Sequence, residues 1–109
     1  MNLRDLQQQL RRFAEQRNWE RFHSPKNLSM ALSVEAAELL EHFQWLTEEQ
    51  SASLGSPERD EVAAEIADIQ IYLAMLADKL GIDIESAVSA KLKSNAVKYP
   101  AATGHPGQE

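Results

Sequence analysis

Apolar residues recur along this chain with helical period. Leu3, Leu6, Leu10 and Phe13 fall three or four positions apart with Gln, Arg and Glu between them, which predicts an amphipathic helix over roughly 2–18. The period lapses through Asn18-Trp19-Glu20-Arg21-Phe22-His23. Ser24-Pro25 then offers a capping hydroxyl and a proline at the first helical position, so a second helix is expected from there to about Trp45 or Leu46. The run TEEQSASLGSP, Thr47 to Pro57, is small and polar and reads as an exposed connection. Ser56-Pro57 repeats the start signal. Val62, Ile66, Ile69, Leu73 and Leu76 trace one stripe of a third helix that should end near Leu80. Gly81 suits the position just past a helix end and Asp83 the next cap. Ile84, Ala87, Val88 and Leu92 mark a fourth helix, stopped by Tyr99-Pro100.

Two helical hairpins in series predict an all-α fold, a four-helix bundle forming a single domain over 1–100. Residues 101–109, with Gly104, Pro106 and Gly107 and nothing apolar beyond alanines, are expected to form a mobile tail. A domain of this size buries only about two-thirds of its unfolded surface, so its core is thin. Such a bundle commonly completes its core by pairing with copies of itself, and a homo-dimer or homo-tetramer is expected.

The net charge of −6 excludes a general nucleic-acid binder, which needs a dense basic face. It is compatible with a single nucleotide whose phosphates are held by a metal ion and a few cations. The absence of cysteine excludes a disulfide framework and a thiolate zinc site. No apolar signal core opens the chain and no stretch approaches the ~20 apolar residues of a membrane span. A cytoplasmic protein with no membrane partner is the expectation.

Two acidic pairs carry the candidate chemistry. Glu35-Ala-Ala-Glu38 lies on the second predicted helix and Glu65-Ile-Ala-Asp68 on the third. Residues three apart share a helical face, so each pair presents two carboxylates side by side, bordering or interrupting an apolar stripe. Burying such like charges without a counter-charge costs several kcal/mol, so something positive should sit among them. Mg²⁺, a hard cation that joins carboxylates to substrate phosphates, is the simplest choice. Glu61 and Glu41, one turn away, could supplement the site. The bland alternative is a pair of solvated helix faces, which is what a single Glu-x-x-Glu ordinarily is.

The order Glu35-x-x-Glu38 then Glu65-x-x-Asp68 resembles the metal-binding signature of the MazG-like nucleotide pyrophosphohydrolases. Several further runs resemble the dCTP pyrophosphatase branch of that superfamily. They are Phe22-His23-Ser-Pro25-Lys26-Asn27-Leu28, Phe43-Gln44-Trp45, Asp68-Ile-Gln-Ile-Tyr72-Leu73 and Lys91-x-x-x-Asn95-x-x-Lys98-Tyr99-Pro100. The likeness extends from about Leu3 to Pro100. It implies a MazG-like bundle completed by homo-oligomerisation, in which Glu35, Glu38, Glu65 and Asp68 hold Mg²⁺ as the catalytic group. It also implies that Lys91, Asn95, Lys98 and Tyr99 contact triphosphate or sugar, and that Trp19, Trp45 and Tyr72 line the base or sugar pocket. Lysines and an amide suit phosphate oxygens and aromatic faces suit a base. The tryptophans also fit as ordinary core side chains, and the three polar residues of the fourth helix as a solvated face. His23, outside the acidic pairs, reads as a loop or capping residue. In one respect the chain departs from the vertebrate members of the branch: Leu10 stands where they are expected to carry a histidine associated with the base pocket, which leaves a preference for cytosine open.

The implied reaction is hydrolysis of a (deoxy)nucleoside triphosphate to the monophosphate and pyrophosphate by attack of water at the α-phosphorus. A phosphoribosyl-ATP pyrophosphohydrolase would share fold and metal chemistry. A di-iron carboxylate bundle would need Glu-x-x-His pairs. Neither acid-bearing helix has one, since Leu39 stands three residues before His42. A non-catalytic helical dimerisation module would have no use for inward-pointing carboxylates.

Overall fold

The computed structural model describes residues 1–101, so the expected tail over 101–109 lies, apart from Ala101, outside the described residues. Three of the four long helices start where a short polar side chain accepts an unpaired N–H. The Asn2 side chain accepts from the Asp5 amide at 3.1 Å and opens α1, Leu3–Gln16. Ser24 accepts from the Asn27 amide at 3.1 Å and opens α2, Pro25–Glu41, with Pro25 in its first turn as expected. Asp83 accepts from the Glu85 amide at 3.1 Å and opens α5, Ile84–Lys98. The four long helices are those that the periodicity predicts, and no strand occurs among the described residues.

Helix α1 stops at Gln16 because Asn18 turns into the left-handed region, φ 55°. The Asn18 amide then reaches Glu15 O at 3.1 Å and the Trp19 amide reaches Ala14 O at 2.9 Å, closing the end of the helix. A 3-10 turn, Glu20–Phe22, carries the chain on to α2.

The connection between α2 and the third predicted helix differs from expectation. α2 ends at Glu41, and 42–45 tighten into turns with the Phe43 and Gln44 amides both on Leu40 O at 2.9 Å. A short helix α3, Glu48–Ser51, follows inside the stretch read as an open connection. Thr47 and Gln50 build it reciprocally: the Gln50 amide donates to Thr47 Oγ1 at 3.1 Å and the Thr47 amide to Gln50 Oε1 at 2.9 Å. α4, Ser56–Leu80, starts one residue sooner than the Ser-Pro signal implies. Gly55 takes the capping position and Ser56 is already helical. Gly81 ends α4 at φ 67°, as expected, with the Ile82 amide on Ala77 O at 2.9 Å.

Side-chain contacts give the helix directions. Gln7 Nε2 donates to Ala74 O at 2.9 Å and Arg11 Nε to Asp78 Oδ2 at 2.8 Å, so α1 and the C-terminal half of α4 advance together. Glu35 meets Asp68 and Glu38 meets Glu65, so α2 and α4 run antiparallel. The shared core is thin: Ala14, Leu28, Ala74 and Ala77 are buried, and Leu28 is the one large side chain fully enclosed among the described residues. Three alanines there let helices approach closely.

Not every apolar position faces this core. Of the expected α4 stripe, Ile66 and Leu73 are exposed, because α1 and α2 pack on another side of the helix. No residue of α5 is buried, and Val88, Leu92 and Val97 face outward. The Cα radius of gyration is 17.2 Å, against about 13 Å for a compact domain of this length.

Candidate active site

The antiparallel crossing of α2 and α4 brings the two acidic pairs together. Glu35, Glu38 and Glu65 each offer a carboxylate oxygen, and these oxygens lie within 4.8 Å of one another. Asp68 stands beside this triad with its carboxylate against that of Glu35. Glu61 and Glu41 are exposed and fall outside the group.

Electrostatically the group is incomplete as it stands. Burial, followed by the charge of Glu38, pushes the Glu35 carboxyl up to about 7. Burial, followed again by Glu38, raises Glu65 as well. One oxygen, Glu65 Oε2, is buried without any hydrogen-bond partner. A protein group in that position is normally paired, so a missing partner asks for an explanation. A hard divalent cation fits the donor set: all-oxygen, anionic and convergent.

Asp68 also lines an open-sided cavity of about 260 Å³ bordered by α1, α4 and the turn after α1. Its walls are Leu10, Phe13, Ala14, Trp19, His23, Ile71, Tyr72 and Met75. Trp19 is held edge-on to Phe13, ring centroids 5.6 Å apart, and the Arg17 guanidinium lies 3.4 Å from the centre of the Phe13 ring. The left-handed Asn18 thus fixes where the indole stands, because it sets the path of the chain between α1 and Trp19.

The structure therefore gathers Glu35, Glu38, Glu65, Asp68, Trp19 and Tyr72 in one region. It does not gather the rest. Trp45, in the turn after α2, is 86% exposed and lies away from the cavity. Lys91, Asn95 and Lys98 sit on α5, and no ion pair among the described residues ties the lysines to the carboxylates. Tyr99 caps α5 with Lys98 Nζ 5.3 Å from its ring centre.

Phe13, Ile71 and Met75, which the sequence reading did not single out, also line the cavity, as does His23, read there as a loop or capping residue. His23 follows the 3-10 turn, where its amide donates to Glu20 O at 3.0 Å, yet it also lines the cavity. A signal was available on α4, where Asp68, Ile71, Tyr72 and Met75 recur at helical spacing and so share one face with a ligand candidate at its end.

The sequence model of the MazG-like family matches residues 30–109, a span that contains both acidic pairs. This chain belongs to the MazG-like family. Among its relatives, human dCTP pyrophosphatase 1 is 42% identical over 101 residues, which is 91% of this chain and 59% of that protein. Bovine dCTP pyrophosphatase 1 is 41% identical over 100 residues, 90% of this chain and 59% of that protein. The chain thus spans about three-fifths of the length of these curated relatives. A pyrophosphatase from Archaeoglobus fulgidus DSM 4304, solved as a crystal structure, superposes with a TM-score of 0.84 at 41% identity, covering 89% of this chain and 91% of that one. As a family member the chain keeps the all-helical fold of that neighbour. No helix among the described residues is long and apolar enough to cross a membrane.

Proposed function

We propose that this chain is a nucleoside triphosphate pyrophosphohydrolase, cutting a (deoxy)nucleoside triphosphate to the monophosphate and pyrophosphate. The observation that carries the proposal is the convergence of Glu35, Glu38 and Glu65 around an unpartnered buried oxygen, joined through Asp68 to an aromatic-walled cavity. Similarity to pyrophosphatases over nine-tenths of the chain supports it. In this reading Glu35, Glu38, Glu65 and Asp68 hold Mg²⁺. When bound, the cation supplies neutralising charge to phosphate oxygens and acidity to water. Glu38 orients or deprotonates the water that attacks the α-phosphorus. Trp19 and Tyr72 flank base and sugar in the cavity, excluding water on that side. Lys91, Asn95, Lys98 and Tyr99 contact the triphosphate, and Lys91 and Lys98 stabilise the departing pyrophosphate.

Homo-oligomerisation belongs to the same proposal, as a dimer or tetramer, with 1–100 as the folded unit and the cytoplasm as its place. It accounts for the cations of α5, which lie on an uncovered helix within one chain and would meet phosphates in an assembly. Trp45, too, would find a neighbour there.

The test is a panel of triphosphates incubated with the purified protein and Mg²⁺, with products separated. Monophosphate and pyrophosphate are expected, and Glu38→Gln should lower the rate at least about a hundredfold while leaving the helical circular dichroism intact. Release of single phosphate would place the cut at the β–γ bond and defeat the assignment. A product profile favouring phosphoribosyl-ATP over ordinary nucleotides would move it to that related activity.

A further inference from the structure

Behind the aromatic cavity lies a second one, of about 20 Å³, room for a water molecule, lined by Gln7, Arg11, Glu20, Asp78 and Lys79 among others. Leu10, Ala14, His23 and Met75 border both spaces, and of these four only His23 is polar. It therefore stands between an apolar chamber and a charged cluster in which Arg11 pairs with Asp78 at 2.8 Å.

The other polar side chains of the aromatic cavity are otherwise placed. Asp68 meets the carboxylate of Glu35, and Tyr72, which the proposed function sets against base and sugar with Trp19, stands one helical turn after Asp68 on α4. The remaining walls are Leu10, Phe13, Ala14, Trp19, Ile71 and Met75, which offer ring faces and methyl groups but, apart from one indole N–H, nothing to pair with a base edge. The bonds of His23 to its own chain run through its backbone. Among the described residues no hydrogen bond involves its imidazole. An aromatic chamber holds any base by its faces, so discrimination among bases has to come from a group that meets the edge.

We infer that His23 is the specificity-determining residue of this pocket, hydrogen-bonding the edge of the nucleobase and so setting which base is preferred. The inference rests on the reading of the cavity as the base site of a nucleotide. Burial, and then the charge of Lys79, hold the imidazole below its ordinary range, with Glu20 opposing. The ring is then neutral at pH 7 and carries one donor and one acceptor, a combination that a base edge can match in one orientation and mismatch in another. Glu20, Lys79 and the Arg11–Asp78 pair line the small space on the other side of His23.

Binding of the four α,β-methylene deoxynucleoside triphosphates, which cannot be cut at the α–β bond, tests this by calorimetry with Mg²⁺ present. The wild-type chain should prefer one base. In His23→Phe, affinity for that base should fall about tenfold, the equivalent of one hydrogen bond, with the other three little changed. His23→Gln, which keeps a donor and an acceptor, should retain part of the preference and serves if the Phe variant fails to fold. A wild-type protein indifferent to base, an equal loss for all four analogues, or an unchanged ratio in both variants would each overturn the inference. A protein that binds the analogues selectively yet releases no pyrophosphate from ordinary triphosphates would sink the hydrolase reading and leave His23 standing. Failure to bind any analogue would sink both.

Discussion

Glu65 shows how much one side chain can report about a site. Its Oε2 is buried with no protein hydrogen-bond partner, and its neighbours Glu38 and Asp68 repel it further. Such an arrangement holds protons in the absence of a cation. Glu35, raised from 4.5 to about 7, and Glu65, raised in the same sense, bind protons more tightly folded than unfolded. Their contribution to stability is thus fully present below the unfolded value and is lost as pH rises through the folded one. Without divalent cations, the melting temperature should fall as pH rises from about 4.5 to about 7, the window between the unfolded and folded values of Glu35. Added Mg²⁺ should restore it, and restore more at pH 8 than at pH 5, because the ligands must give up their protons to bind. Calorimetric scans across that range with EDTA or Mg²⁺ would check both statements. In Glu65→Gln the pH dependence should weaken and the Mg²⁺ effect should shrink. A melting temperature flat in pH and indifferent to Mg²⁺ would refute the account.

At the scale of elements, helix ends decide where the functional side chains stand. Asn18 and Gly81 are the two described residues with positive φ, and each closes a helix with the same pair of backbone bonds. A Cβ at Gly81 would meet nothing within 4 Å, so substitution there isolates the backbone term. Gly81→Ala should cost about 1–2 kcal/mol, the penalty of the left-handed region for a residue with a Cβ, read as a shift in the urea midpoint with unchanged slope. A neutral result would mean that the α4–α5 turn relaxes at no cost. The same physics explains what was legible along the chain and what was not. Caps at Ser24 and Asp83 act through neighbours two or three residues away, so the local sequence reveals them. The Thr47-x-x-Gln50 box is equally local and was readable, but it lies among small polar residues whose lack of apolar period masks a one-turn helix.

The whole molecule leaves a great deal of apolar surface uncovered. On α4, Ile66, Leu73 and Leu80 are exposed at intervals of seven residues, the spacing of a helix–helix seam. On α5, Leu92 is 64% exposed between Val88 and Val97. A monomer rarely displays so much, and pairing with copies would bury it. Light scattering behind a sizing column should give a dimer or tetramer mass. Leu92→Glu should move the chain toward monomer and lower activity with it, if α5 brings its lysines to phosphates across an interface. A wild-type protein running as a monomer would contradict this.

The order of helices, their caps and the two acidic pairs were determined by sequence, because each depends on residues within one or two turns of one another. The face of α4 that packs was not, since its apolar residues surround most of the helix and only the placement of α1 and α2 selects among them. Nor was the aromatic cavity, which joins Leu10 and Phe13 to Met75 across more than half the chain, or the place of His23 beside it, where side chains of α1 and α4 meet those of its own turn. Charge repulsion within each pair could be read from spacing, but the convergence of Glu35, Glu38 and Glu65 required two helices to cross in one register. That register is a property of packing between segments far apart in sequence, and only the tertiary structure supplies it.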